Sequence, residues 1–145
     1  MCIRDSLILE YQGLVLLLKQ TSTNGGKYTL VGGTIENDEF AKKSLIRESM
    51  EEAGIKLKPE NLELVHMLHK KKGPNSRVVL YFKSKNWKGV PDALERHKFK
   101  KVAWFPLTEL PKNMSPTVRH VFKRYKAGDM YSELCLLYTS DAADE

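Results

Sequence analysis

Apolar residues are grouped in short runs along most of the chain, separated by polar or glycine-containing segments. Runs of this length, rich in aliphatic, β-branched and aromatic residues, are typical of strands. Gln12-Gly13 is placed to turn the first run into the second as a hairpin. Six runs predict strands, at residues 7–9, 14–19, 27–31, 62–69, 77–83 and 102–105, of which the last is predicted to be the final strand.

Two stretches have helical spacing instead. The first predicted helix covers residues 39–53, with Asn37 or Asp38 as its N-cap and Gly54 at its end. The second begins at Ser115-Pro116, because a capping hydroxyl followed by proline favours a helix start. Its apolar face consists of Val118, Val121, Phe122 and Tyr125. Strands, a helix, more strands and a second helix predict a single α/β domain with a mixed β-sheet between helices.

Two polar segments are predicted to be loops. Residues 70–76 contain three lysines and Gly73-Pro74, which predicts a basic loop. Residues 85–100 show no clean period and contain Gly89, Pro91 and many charges. Long loops in compact domains are usually functional, so we expect this segment to contribute to binding.

The two ends of the chain are unlike the rest. Residues 1–6 and 135–139 can be encoded by reverse-complementary DNA, and this inverted repeat resembles a translated sequencing adapter. We therefore expect one domain over residues 7–134, with adapter-derived tails at 1–6 and 135–145. Genomic reads across the locus should replace both ends with different sequence. Excluding the tails raises the net charge from +6 to +9, which favours phosphate-bearing partners.

Cysteine and hydropathy exclude several classes of protein. Cys2 and Cys135 both lie in the suspected tails, so the domain is expected to have no disulfide, thiol nucleophile or thiolate metal site. The longest apolar run, residues 14–18, is too short to span a bilayer, and we see no secretory leader. We expect a cytoplasmic protein that does not contact a membrane.

An unusual group of acids lies at the end of the first predicted helix. Glu48, Glu51 and Glu52 occupy its last turns, with Arg47 beside them. If this end of the helix were simply solvated, the face opposite the core would be polar throughout. A helical wheel instead separates an apolar stripe of Ile46, Met50 and Ala53, expected to face the core, from an opposite stripe of Ala41, Leu45, Glu48 and Glu52. We expect a helix packed on both sides, one of which lines a site.

The energetics of this acidic group favour a bound cation. Each like-charge pair at i, i+3 or i, i+4 costs about 0.2–0.5 kcal/mol. Each carboxylate at the negative end of the helix dipole costs about a further 0.3–1 kcal/mol. Arg47 offsets part of this through Glu51. Oxygen ligands without cysteine or paired histidines favour Mg²⁺ or Mn²⁺ over zinc; the alternative is a solvated, charged helix end.

These residues also resemble a known family. The spaced pattern Gly33-x5-Glu39-x7-Arg47-Glu48-x2-Glu51-Glu52-x-Gly54 is similar to the Nudix box. Ser49 stands where the family usually has an aliphatic residue, and Val31 stands where many members have proline. Residues 104–107 resemble the strand that closes the domain of the family, so the likeness covers most of residues 7–131.

The resemblance implies a Nudix hydrolase, an α/β/α sandwich that cleaves a diphosphate linkage in a nucleoside diphosphate joined to another group. It implies that Glu48, Glu51, Glu52 and the Gly32 carbonyl bind divalent cations, with Mg²⁺ first and Mn²⁺ second. It also implies that Glu39 and Arg47 orient the helix. Glu48 is the first choice for the general base, with Glu52 behind it. Glu95 resembles a further metal-binding carboxylate that some members supply.

Substrate residues are less specific in the sequence. The basic residues at 70–72, Arg77 and those at 96–101 are candidates to hold outer phosphates. Four aromatic residues are candidates to stack on a base, namely Tyr28, Phe82, Trp87 and Phe99. Of these sets, we assign Tyr28, Arg77 and Trp87 to the substrate. The ordinary alternatives are solubilising lysines and core aromatics.

The marks of several subfamilies are absent downstream of the box. Residues typical of ADP-ribose, dinucleoside-polyphosphate and NADH-cleaving members are missing, which favours a nucleoside triphosphate pyrophosphohydrolase, damaged or non-standard nucleotides included. The alternatives are a nucleotide-sugar or ADP-ribose hydrolase, an RNA 5′-end pyrophosphohydrolase, and a non-catalytic nucleotide-binding regulator. A regulator would be expected to lose box acids. We expect a small-molecule nucleotide as partner, do not favour nucleic acid, and leave the oligomeric state open.

Overall fold

The computed structural model describes residues 1–136. It contains eight strands and two α-helices within that range, with short 3₁₀ turns at Ser22–Asn24 and Pro59–Asn61. In chain order the elements are β1 (Cys2–Tyr11), β2 (Leu14–Gln20), β3 (Tyr28–Thr29), β4 (Gly32–Thr34), α1 (Ala41–Ala53), β5 (Glu63–Lys72), β6 (Asn75–Ser84), β7 (Phe99–Pro106), α2 (Pro116–Lys126) and β8 (Tyr131–Leu136).

The strands form one mixed sheet. The hydrogen-bonded order is β3-β2-β1-β6-β5-β8, with β4 on β1 and β7 on β2. Strands β1 and β6 are parallel, as are β5 and β8, and the other pairs are antiparallel. The predicted hairpin of the first two strands is present, because Gln12 and Gly13 both have positive φ and turn the chain between Tyr11 and Leu14.

Alternation along β1 and β2 creates a core on each face of the sheet. Leu7, Leu16 and Leu18 point to the face covered by α1, where they pack with Leu45. Residues in between point to the other face, which α2 covers with its apolar stripe; Ile8, Val15, Leu17, Val118, Val121 and Phe122 are all buried there. The result is three layers, helix on sheet on helix.

Helix α1 differs from its prediction at its start and in its orientation. It begins at Ala41 after Phe40, and no side chain caps it, so the predicted caps Asn37 and Asp38 are wrong. Its buried positions include Leu45, Ser49, Glu52 and Ala53. The predicted core stripe was wrong at Met50, which is 44% exposed. The helix is rotated so that Glu52 contacts the main chain of β4, and this turns Met50 outward.

The predicted loops and strand ends also change. The basic loop predicted at residues 70–76 is wrong, because β5 continues through Lys72 and only Gly73-Pro74 form the turn to β6. Lys70 is buried within that strand. The long loop predicted at residues 85–100 is irregular as predicted but ends at residue 98, before β7. The prediction that this strand is the last is also wrong, because β8 follows α2 and pairs with β5.

Segments assigned to the tails take part in the sheet. Residues 2–6 form the first half of β1 and pair with β4 and β6. Cys135 lies in β8, and residues 137–145 of the second tail are outside the described range. Cys2 and Cys135 are both free thiols. Neither α-helix of residues 1–136 is long and apolar enough to cross a membrane.

Candidate active site

A cleft of about 620 Å³ opens on the α1 face of the sheet. The glycine pair of β4 and two acids of α1 line one part of it, Glu48 and Glu52. The rest is mainly polar and basic, with one leucine and one aromatic ring. It is lined by Arg4, Gln20, Thr23, Asn24, Thr29, Leu30, Thr34, Lys98 and Phe99.

Two glycines allow α1 to approach the sheet this closely. The main-chain N–H of Gly32 donates to Oε1 of Glu52 over 3.2 Å, and Glu52 is only 4% exposed. The carboxylate of Glu48 lies against Gly33, in space that a Cβ on Gly33 would occupy. The glycine pair therefore holds both acids at the same edge of the cleft.

Arg47 joins the other acids of the box. Its guanidinium donates to Oε1 of Glu39 over 2.8 Å and to Oε1 of Glu51 over 3.2 Å, and it lies 3.2 Å from Oε1 of Glu48. One planar cation therefore contacts three carboxylates, and the bidentate contact with Glu39 ties α1 to the segment before it. The orienting role of Glu39 and Arg47 stays a prediction.

Charge and burial shift the pKa values of several side chains in this group. Burial raises the pKa of the Glu48 carboxyl above its ordinary value, against the lowering effect of the Arg47 guanidinium. The hydrogen bond from Arg47 lowers the pKa of Glu39. The same pairing raises the pKa of Arg47, so its charge is constant over any working pH.

The acids of the cleft supply the type of ligand atom that a hard divalent cation prefers. Glu48 and Glu52 face the cleft, and both offer oxygen, as Mg²⁺ and Mn²⁺ prefer. Glu51 is half exposed and bonded to Arg47, so it has to turn from that partner to join them. Within residues 1–136, no three His, Cys, Asp or Glu side chains are already gathered closely enough to hold a metal.

Asp5 contacts the same glycine pair without lining the cleft, and it was missed because residues 1–6 were set aside. It is fully buried, and its Oδ1 accepts from the Gly33 N–H over 3.2 Å. Burial raises its pKa from 3.8 to about 6; the nearby Ser44 hydroxyl opposes this shift, and the charge of Glu48 adds to it. Asp5 is thus a third carboxyl near the glycine pair.

The raised pKa of Asp5 predicts a specific dependence of stability on pH. Its ionised form is disfavoured in the folded state, so the penalty is complete above about pH 6 and fades as pH falls from 6 toward 3.8. In EDTA, Asp5→Asn should raise the free energy of unfolding at pH 7.5 by up to about 3 kcal/mol. Urea titrations at pH 7.5 and 5 should show this gain shrinking at the lower pH; an equal gain at both would contradict the assignment.

The remaining predicted site residues lie elsewhere. Glu95 is on the rim, where its carboxylate is 3.6 Å from Nζ of Lys98, and it does not line the cleft. Tyr28 is in the α2-side core against Phe105, and Trp87 packs on Trp104. Arg77 is on β6, opposite Lys70. Of the basic residues predicted to hold phosphates, all within residues 1–136, only Lys98 lines the cleft.

The polar wall of the cleft comes from segments that the box does not mark. Residues 21–24 and 97–98 are tied together, because the Asn24 amide donates to the His97 carbonyl over 2.9 Å and the Thr21 N–H donates to Lys98. These contacts join segments more than 70 residues apart in the chain, so no local pattern indicated them. Phe99 had been considered for base stacking, and it does line the cleft.

Comparison with known proteins supports the box. The sequence model of the NUDIX domain matches residues 5–125. No curated protein matches the sequence.

Solved structures resemble the chain in fold. The mutator MutT protein from Bacillus halodurans superposes with a TM-score of 0.78 at 22% identity, over 97% of this chain and 92% of that one. The MutT NUDIX hydrolase from Burkholderia pseudomallei gives 0.76 at 21%, over 84% and 95%. The NUDIX domain of Shewanella oneidensis NrtR, complexed with ADP ribose, gives 0.67 at 16%, over 86% of each chain. The predicted α/β/α sandwich with a mixed sheet is confirmed.

Proposed function

Because the chain belongs to the Nudix hydrolase family, we propose that it hydrolyses a diphosphate linkage of a nucleoside triphosphate, damaged and non-standard nucleotides included. One observation carries the proposal. Glu48 and Glu52 meet at Gly32-Gly33 on one side of a cleft that also contains Lys98 and Arg4. Acids for a cation and cations for phosphates in one cleft are what hydrolysis of a phosphoanhydride requires.

In this proposal, the acids of α1 bind the cation, and one of them also acts as the general base. Glu48, Glu52 and the Gly32 carbonyl would hold Mg²⁺ or Mn²⁺, joined by Glu51 once it leaves Arg47. The cation, when bound, neutralises charge on the phosphate oxygens and acidifies a water. Glu48 is the proposed general base, since it is exposed to the cleft and next to Glu52. Arg47 and Glu39 act by holding α1 in place.

Lys98 is the proposed partner of the outer phosphates. Its side chain reaches the cleft, and its ion pair with Glu95 is 3.6 Å long and half exposed, so the ammonium can exchange Glu95 for phosphate at little cost. Glu95 remains a proposed further metal-binding carboxylate, and in this structure it is paired with Lys98.

A second candidate substrate is ADP-ribose. Nudix domains bind nucleotide substrates, and the NrtR domain that this chain resembles in fold is complexed with ADP ribose. Both candidates contain a nucleoside and a diphosphate, and they differ in what is attached to the far phosphate.

The deciding experiment is a substrate panel with product identification. Purified protein with Mg²⁺ should release diphosphate and nucleoside monophosphate from one or more nucleoside triphosphates, with much lower activity on ADP-ribose, nucleotide sugars and triphosphorylated RNA. Activity confined to ADP-ribose would select the second candidate, and activity confined to RNA would replace both. Binding of nucleotides without turnover would indicate a regulator.

A further inference from the structure

A second pocket, of about 190 Å³, lies between the segment that follows α1 and the start of the loop at residues 85–98. Within residues 1–136, three of its lining side chains are lysines and none is acidic. The lining consists of Lys56, Lys58, Asn61, Asn86, Trp87 and Lys88. These six residues do not line the cleft that contains the box acids. The pocket is therefore separate from the cleft and has a positively charged lining.

The main chain holds two of these lysines side by side. The Lys56 N–H donates to the Lys88 carbonyl over 2.8 Å, and the Lys88 N–H donates to the Lys56 carbonyl over 3.0 Å. The two residues form an antiparallel bridge, and like charges directly opposite each other in such a pair are destabilising. Lys58 is exposed on the same side as Lys56, because the residue between them, Leu57, is buried. The fold thus gathers three like charges at one pocket.

The three ammonium groups have no neutralising partner in the part of the chain that the structure describes. No ion pair or side-chain hydrogen bond there involves Lys56, Lys58 or Lys88. Lys83 of β6, in contrast, lies 3.4 Å from Oε2 of Glu10. A bound anion would relieve the repulsion among the three lysines and would accept charge-assisted hydrogen bonds from them.

Trp87 adds an aromatic ring in a fixed position. Its Nε1–H donates to the Gly89 carbonyl over 3.0 Å, and its ring packs on Trp104 with 5.6 Å between the centroids. Trp104 is separated from Phe99, a residue of the cleft, by about 17 Å along β7. The indole predicted from the sequence to bind substrate is therefore placed at the second pocket.

The volume restricts the type of ligand. At about 190 Å³ the pocket is smaller than the roughly 300–1,000 Å³ of sites that enclose a complete drug-sized molecule. We propose that it binds the phosphate groups of a small phosphorylated molecule, as a site additional to the cleft. Lys56, Lys58 and Lys88 hold the phosphate oxygens, and Trp87 contacts a ring where the ligand has one.

The test uses inorganic diphosphate in EDTA as the probe and the fluorescence of Trp87 as the readout. The chain has two tryptophans, so Trp104→Phe leaves Trp87 as the single reporter. In that background, titration with diphosphate should change the fluorescence. Lys56→Gln combined with Lys88→Gln should weaken the affinity at least about 10-fold, because hydrogen bonds to a charged group are lost. Added salt should weaken it in the unmodified lysine background as well.

Two controls locate the effect. Lys112→Gln combined with Lys123→Gln removes the same charge from exposed positions elsewhere and should leave the affinity within about 2-fold. Lys98→Gln alters the cleft and should leave the Trp87 titration unchanged. Absence of diphosphate binding, or binding that survives the Lys56 and Lys88 changes, would overturn the inference and leave these lysines as solvated charges. An equal loss in the control pair would overturn it too, because net charge alone would then explain the binding.

ADP and adenosine identify the source of the phosphate. Tighter binding of ADP than of diphosphate, without binding of adenosine, would assign the pocket to nucleotides, and equal affinities would assign it to the free anion; both results support a phosphate site. Adenosine binding as tight as that of ADP would overturn it, and so would a Trp87 response confined to an RNA oligonucleotide. Because none of these measurements needs turnover, the proposed function can fail without affecting this inference.

Discussion

Glu52→Gln should reduce the Mg²⁺-dependent turnover of the best substrate by at least about 100-fold, with the fold intact. Glutamine keeps an oxygen that can accept from the Gly32 N–H, so the contact between α1 and β4 survives. It removes the negative charge that a divalent cation needs. The measurement is release of diphosphate and nucleoside monophosphate across a Mg²⁺ titration, together with a thermal melt of each protein.

The control for this change is Glu63→Gln. Glu63 is an exposed acid at the start of β5, so the same loss of charge should leave turnover unaltered. Undiminished turnover in Glu52→Gln would contradict the assignment of Glu52 as a ligand of the cation. An inactive variant that also has a much lower melting temperature would indicate that the Glu52 charge contributes to folding.

The second large effect is expected at the glycine pair, where the same added methyl group should act in two different ways. A Cβ on Gly33 would overlap the Glu48 carboxylate, which can swing away at little cost in stability. A Cβ on Gly32 would overlap the main-chain carbonyl of Asp5, which cannot move without shifting β1. Gly33→Ala should therefore lose activity, and Gly32→Ala should lose stability.

We expect Gly33→Ala to lower kcat/KM about 100-fold through displacement of Glu48, with a change in stability below about 1 kcal/mol. Gly32→Ala should lower the free energy of unfolding by about 1–3 kcal/mol, as overpacking does. Urea unfolding and kinetics on both variants check this. An active Gly33→Ala enzyme would mean that Glu48 acts from another position.

The sequence predicted best where function needs residues at fixed spacing on one element. The box located α1 and its acids, because a single helix carries most of them. It could not give the rotation of that helix. Met50 looked like a core residue on the wheel, yet the contact of Glu52 with Gly32 decides which side faces the sheet.

The parts of the fold and the site that the sequence did not predict depend on contacts between distant segments. Tyr28 and Trp87 are aromatic residues of the kind that stack on bases, but Tyr28 packs against Phe105 in the α2-side core and Trp87, in the loop after β6, packs on Trp104. Strand β8 was missed because its first residues are polar and its pairing with β5 bridges more than 60 residues.

The loop of residues 85–98 provides a way to follow the end of α1 in solution. The N–H groups of Asp92 and Leu94 donate to the carbonyls of Ala53 and Glu52, at the end of α1. The loop thus completes the C-terminal end of the helix whose acids line the cleft. Hydrogen exchange at these two amides is therefore a local reporter of how firmly that helix end is held, and it can be followed in the free protein and during ligand titration.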